Sequence, residues 1–102
     1  MGEIRSAIIA QEHGATVVIS HRIRHDAHAA YEDWLTDIGP VCRSFEGHLD
    51  WQIIRPITGL SGTYTVVIRF DTQAHLENWM FSDERKDFVA KVRPLLEADD
   101  QF

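Results

Sequence analysis

Between Thr16 and Ile23 the chain reads Thr-Val-Val-Ile-Ser-His-Arg-Ile, a β-branched run that predicts a strand. Period-two geometry puts Val17, Ile19, His21 and Ile23 on one face and Val18, Ser20 and Arg22 on the other. The period then changes. Tyr31, Trp34, Leu35, Ile38, Cys42 and Phe45 recur at helical spacing, with Glu32, Asp33, Thr36 and Asp37 between them. That spacing predicts an amphipathic helix with one buried stripe, opened by Asp26 as its N-cap. Gly39-Pro40 predicts a kink or a restart, because proline removes a helix hydrogen bond.

Gly47 ends that segment. His48 to Arg55 alternates again, with Leu49, Trp51 and Ile53 on one face. Pro56 to Gly62 carries turn residues and predicts a loop. Thr63 to Asp71 predicts a further strand, with Tyr64, Val66, Ile68 and Phe70 on one face and Thr65, Val67 and Arg69 on the other. A hairpin is the economical pairing of these two strands. Asp71 or Thr72 caps a helix that carries Leu76, Trp79 and Met80. Ser82 is a second N-cap, followed by Asp83 and Glu84 where the helix dipole favours acids. Phe88, Val89, Val92, Leu95 and Leu96 make the last apolar stripe, with Pro94 near its end.

The order β-α-β-β-α gives the first five elements of a ferredoxin-like split β-α-β plait, an α+β fold with an antiparallel sheet and helices on one face. Too few residues follow Leu96 for the plait's last strand, which suggests a trimmed or short form of a longer protein. Ile4 to Ala10 is a β-prone segment ahead of the first predicted strand, and His13-Gly14 provides a turn. A hairpin from this segment would fill the vacant sheet edge in the same antiparallel sense and protect it. The alternative is a loose arm, with the edge covered by a partner's C-terminal residues. The domain organisation is therefore 1–15, an N-terminal arm or extra edge strand, and 16–102, a single ferredoxin-like domain.

Composition narrows the function. The chain has 102 residues, 44% apolar and 25% charged, which is globular rather than disordered. A net charge of −6 argues against nucleic acid as a partner. The single cysteine, Cys42, excludes an intrachain disulfide and fits a reducing, cytoplasmic setting. No apolar run approaches the ~20 residues of a membrane span. Ala7-Ile8-Ile9-Ala10 is too short for a signal-peptide core.

The strand at Thr16–Ile23, the helix segment Ala-Tyr-Glu-Asp-Trp-Leu, the run from Phe45 to Pro56 and the stretch from Tyr64 to Leu96 together resemble an antibiotic biosynthesis monooxygenase domain. The most specific part is Phe70, Asp71, Thr72, His75, Leu76, Trp79, Ser82, Glu84 and Arg85. The chain is similar in particular to a branch in which this domain precedes membrane helices, and it stops about where that branch begins its last strand. The resemblance implies a dimeric α/β-barrel: a homodimer through the sheet face, with a pocket between sheet and helices. Val18, Val67 and Ile54 are apolar positions on the face left for a partner. Members of the family include cofactor-free oxygenases of aromatic polyketides and haem-degrading enzymes, so the fold alone settles no chemistry.

Cofactor-free oxygenation needs a base, donors for the resulting oxyanion and a dry pocket. His21 is the candidate base, since it sits at a strand end on the helix-facing side and a free imidazole titrates near neutrality, with a half-buried histidine satisfied by backbone as the alternative. Trp34, Trp51, Tyr64, Phe70 and Trp79 are candidate pocket aromatics, with ordinary core packing as the alternative. Arg22 and Arg69 are expected to form solvated ion pairs with an acid, with steering of an anion or pairing across a dimer interface as alternatives. His21, His25 and His28 run from strand through turn to helix and share no face, so no metal is expected. His13 and His48 belong to no motif. The haem-degrading branch places a histidine on the last helix. From Ser82 onward this chain has none, so neither haem nor any other cofactor is expected. Cys42 sits on the buried stripe as a small hydrophobe.

Two functions follow. The first is a cofactor-independent monooxygenase of a small aromatic or quinol-like substrate. The second is a non-catalytic dimeric module that binds a small ligand or regulates an attached protein. An open cavity of about a few hundred cubic ångströms beneath the helices favours the first, a closed, filled core around His21 and Trp34 the second.

Overall fold

The computed structural model describes residues 4–11, 14–57 and 62–97. The elements are β1 (Ile4–Gln11), β2 (Gly14–Arg22), α1 (His28–Arg43), β3 (His48–Ile54), β4 (Thr63–Phe70), α2 (Gln73–Met80) and α3 (Asp83–Val92), then a 3-10 turn at Arg93–Leu95. The strands form one antiparallel sheet in the order β1-β2-β4-β3. This is a ferredoxin-like α+β fold. No helix among the described residues is long and apolar enough to cross a membrane.

Alternation along the central strands divides the sheet into two unlike faces. Val17, Ile19 and His21 of β2 and Tyr64, Val66, Ile68 and Phe70 of β4 are buried. They meet Tyr31, Trp34, Leu35, Ile38 and Cys42 of α1 and Leu76 and Trp79 of α2. On the opposite face Val18 and Val67 stand side by side, half-buried, and Ile54 is 56% exposed. No helix among the described residues covers that face.

β1 pairs with β2 from Ile4 opposite His21 to Gln11 opposite Gly14, so a strand from the N-terminal segment occupies this edge. His13 lies outside the described residues. Gly14 is required where β2 begins. Its φ is +154°, and a Cβ there would stand 3.0 Å from the Phe70 carbonyl oxygen. Beyond the 3-10 turn, Leu96 bridges Ile23 and the Glu97 N–H donates to the Arg22 carbonyl at 2.8 Å. The C-terminal segment thus reaches β2 just past the point where β1 begins.

Three local expectations change. α1 starts from Ala27 with no side-chain cap, because Asp26 lies in the preceding turn beside Arg24, 3.4 Å away. α1 runs unbroken through Pro40, which lies near its C-terminal end and faces solvent. Leu49 is 50% exposed rather than sharing the core face of Trp51 and Ile53. The cause is an irregularity between His48 and Asp50, which adds a residue and breaks the period-two pattern. The other caps form as the sequence predicts. Thr72 Oγ1 accepts from the His75 N–H, and Ser82 Oγ from the Arg85 N–H, both at 3.1 Å.

Candidate functional site

His21 lies near the end of β2, turned into the core and 4% exposed. Its Nδ1 shares a hydrogen bond of 2.8 Å with the Tyr31 hydroxyl from α1. The Tyr31 and Trp34 rings each meet the imidazole edge-on at 5.6 Å. Burial, and then the charge of Arg85, lower the His21 pKa to about 4. Burial also holds the Tyr31 phenol above its usual range. At neutral pH the two groups form an uncharged pair.

His21 lines a cavity with Trp34, Trp51, Trp79 and Arg85, closed by aliphatic side chains of the sheet, α1 and α3. Every tryptophan of the chain is on this wall. The free space is about 20 Å³, room for about one water molecule. The polar groups around it are unevenly satisfied. Trp34 donates its Nε1–H to the Phe88 carbonyl at 2.8 Å. Trp79 is 1% exposed, and its Nε1–H is buried without an acceptor. A buried donor left unpaired costs about 1–3 kcal/mol.

Arg85 is the second unsatisfied group. The Ser82 cap fixes the first turn of α3 and so places this side chain against the cavity. Its guanidinium reaches only the Met80 carbonyl, at 3.4 Å, and no carboxylate pairs with it among the described residues. Burial lowers its pKa, but a guanidinium keeps its proton at neutral pH. A neutral imidazole, an unpaired indole N–H and a guanidinium without a carboxylate among the described residues therefore surround one apolar space. Such a set accepts a proton and stabilises an anionic oxygen.

Of the residues read from sequence, His21, Trp34, Trp51 and Trp79 come together here. Tyr64 and Phe70 do not line the cavity. Tyr64 packs against Tyr31 at 4.5 Å between ring centroids, with its hydroxyl 3.3 Å from His28 Nδ1. Phe70 is fully buried, edge-on to His48 at 5.5 Å. Arg22 pairs with Glu97 at 2.6 Å on the surface, and Arg69 is exposed. Cys42 is fully buried, and burial pushes its thiol up to about 12.

Arg85 is the residue that the sequence reading missed as part of the pocket. It hides in the charged run Asp83 to Asp87, which reads as a solvated face. The signal was its spacing: 85, 88, 89 and 92 fall at i, i+3, i+4 and i+7, so this arginine shares the apolar stripe of α3.

Three solved structures share this fold. A conserved protein from Methanosarcina mazei Go1 superposes with a TM-score of 0.75 at 13% identity, over 85% of either chain. The protein Rv0793 from Mycobacterium tuberculosis gives 0.71 at 19% identity, over 82% of this chain and 84% of its own. A protein from Caulobacter crescentus, proposed to be an antibiotic biosynthesis monooxygenase, gives 0.76 at 20% identity, over 88% and 85%. No curated protein matches the chain at a significant level. The family model for antibiotic biosynthesis monooxygenases matches residues 14–91, from β2 into α3. The chain belongs to the antibiotic biosynthesis monooxygenase family.

Proposed function

We propose that the protein is a cofactor-independent monooxygenase of a small aromatic or quinol-like molecule, with His21 as the base. The observation that carries this reading is the neutral, buried His21 facing a tryptophan-lined cavity that also holds the unpaired Trp79 N–H and a guanidinium with no carboxylate partner among the described residues. In the active tautomer Nδ1–H donates to the Tyr31 oxygen, and Nε2 carries the lone pair. The imidazole takes a proton from the substrate. Arg85 and the Trp79 N–H stabilise the negative charge left on substrate oxygen. That anion offsets the Arg85 charge, one of the causes that depress the His21 pKa, and so favours the imidazolium.

The electron-rich anion then gives one electron to dioxygen, and the two radicals combine into a peroxide. The imidazolium returns its proton to the peroxide, the O–O bond then breaks as the remaining C–H proton leaves with the outer oxygen as water, and one oxygen atom stays on the substrate as a carbonyl. Dioxygen is the oxidant, and no metal or organic cofactor enters the balance. With space for only about one water molecule, substrate entry requires α3 to move outward. The small cavity and the weak basicity of His21 favour the second reading, a ligand-binding module without turnover. An oxygen-electrode screen against anthrones and hydroquinones separates the two. Uptake by wild type that falls at least about tenfold in His21→Ala supports the enzyme. Uptake no faster than the buffer blank supports the module.

A further inference from the structure

We propose that ligand enters beneath α3 and is an aromatic carboxylate, whose anionic group is held by Arg85 at the entrance. The inference rests on the reading of the tryptophan-lined cavity as the ligand site. Arg85 and Val89 line that cavity on their inner side. On their outer side the same two residues line a surface groove of about 270 Å³, with Lys86, Ala90 and Arg93. Arg85 and Val89 line both spaces, so an outward movement of these α3 side chains would bring cavity and groove together.

The packing of α3 permits such a movement. Val92, at its end, is its only buried residue. Near the cavity its polar tether to α1 is the hydrogen bond from Trp34 Nε1 to the Phe88 carbonyl. The Phe81–Ser82 junction between α2 and α3 is a single short turn, and Phe81 is 72% exposed.

Charge gives the ligand class. The chain carries a net −6, yet among the described residues the groove wall holds Arg85 and Lys86 and no acid. Asp83, Glu84 and Asp87 lie on the same helix but not on the groove wall. Lys86 has only a 4.0 Å exposed contact with Asp83. A cationic rim on an acidic protein draws anions from solution. Among the described residues Arg85 has no carboxylate partner, and its fork suits two carboxylate oxygens. Deeper in, Trp34, Trp51 and Trp79 offer flat apolar surface for a ring. A carboxylate gives the guanidinium an anion already in the resting complex, a neutral aromatic only once it ionises, and a simple inorganic anion would leave the tryptophan wall unused.

The test titrates the protein with 2-naphthoate and with its neutral isostere 2-naphthamide, following tryptophan fluorescence and the indole N–H resonances. Naphthoate should bind roughly tenfold or more tightly than naphthamide and shift the Trp79 N–H. Arg85→Gln should bring the two affinities together. Lys86→Glu, a surface change, should weaken naphthoate selectively and flatten its salt dependence, and an unchanged naphthoate affinity would contradict the cationic rim. Equal affinity for the two probes, a preference that survives Arg85→Gln, or no binding of either overturns the proposal. Oxygen uptake with a neutral hydroquinone separates its failure from that of the monooxygenase reading. Uptake without naphthoate preference removes only the carboxylate entrance, and preference without uptake removes only the oxygenase.

Discussion

The Tyr31 hydroxyl lies 2.8 Å from His21 Nδ1, and both residues are buried between β2 and α1. The groups around the imidazole are the phenol of Tyr31, the indole of Trp34, the guanidinium of Arg85 and, across the ladder, Tyr64. None of them stabilises an imidazolium as a carboxylate would. Burial and then Arg85 therefore keep the ring neutral, with a pKa of about 4 against 6.5 for the free side chain.

The consequence is a pH-dependent stability of fixed sign. Above pH 6.5 both folded and unfolded chains hold a neutral His21, so the group adds no slope. As pH falls from 6.5 towards 4, the unfolded chain binds a proton that the folded one refuses, and stability drops. The full loss is about 3 kcal/mol, reached below the folded-state pKa. His75, held above its usual pKa by a hydrogen bond to Asp71, works in the opposite sense. Urea unfolding of wild type and His21→Gln over this range isolates the His21 contribution. The variant should lack most of the acid-side loss; parallel curves would show that His21 is not held neutral.

Trp34 is a structural centre as well as a cavity wall. It stacks on Tyr31 at 5.4 Å, meets Phe88 edge-on at 6.4 Å and donates to the Phe88 carbonyl. Trp34→Ala should cost roughly 3–5 kcal/mol in urea unfolding. Trp34→Phe should cost clearly less, since it keeps most of the apolar contact. A loss below about 1 kcal/mol for alanine would mean that Trp34 does not anchor α1.

Cys42 is buried on the stripe of α1, with its thiol pushed up to about 12. A thiol at that value has almost no thiolate at neutral pH. Iodoacetamide should leave the native protein unmodified by mass spectrometry and alkylate it promptly in denaturant. Rapid labelling of the native form would place Cys42 at an accessible site.

The uncovered sheet face predicts association. Val18 opposes Val67, and Ile54 opposes Thr65 on the neighbouring strand. An apolar strip of this kind on an open antiparallel face suits a second copy of the chain. Light scattering at micromolar concentration should give a dimer mass, and Val67→Lys should give the monomer. A monomeric wild type would contradict this.

Periodicity made the core legible before any coordinates. The helical stripe from Tyr31 to Cys42 and the alternating faces of β2 and β4 depend only on spacing, and those residues are the ones buried. The N-terminal strand was legible through composition, since Ile4–Ala10 is β-prone and Gly14 allows the turn. Leu49 was not, because one irregular residue inverts a face and leaves no mark on composition. Arg85 was hidden by its charged neighbours. The grouping of Trp34, Trp51 and Trp79 around His21, without Tyr64 and Phe70, depends on how α2 and α3 pack over the sheet. A one-dimensional pattern does not contain that relation.

We propose above that His21 and its cavity oxygenate a small aromatic. The most direct measurement incubates the protein with an anthrone under labelled dioxygen (18O2) and weighs the quinone formed. The account predicts one labelled oxygen atom per product molecule at a rate well above the uncatalysed reaction, reduced at least about tenfold in His21→Ala. Unlabelled quinone, or labelled quinone formed equally fast by wild type and His21→Ala, would contradict it.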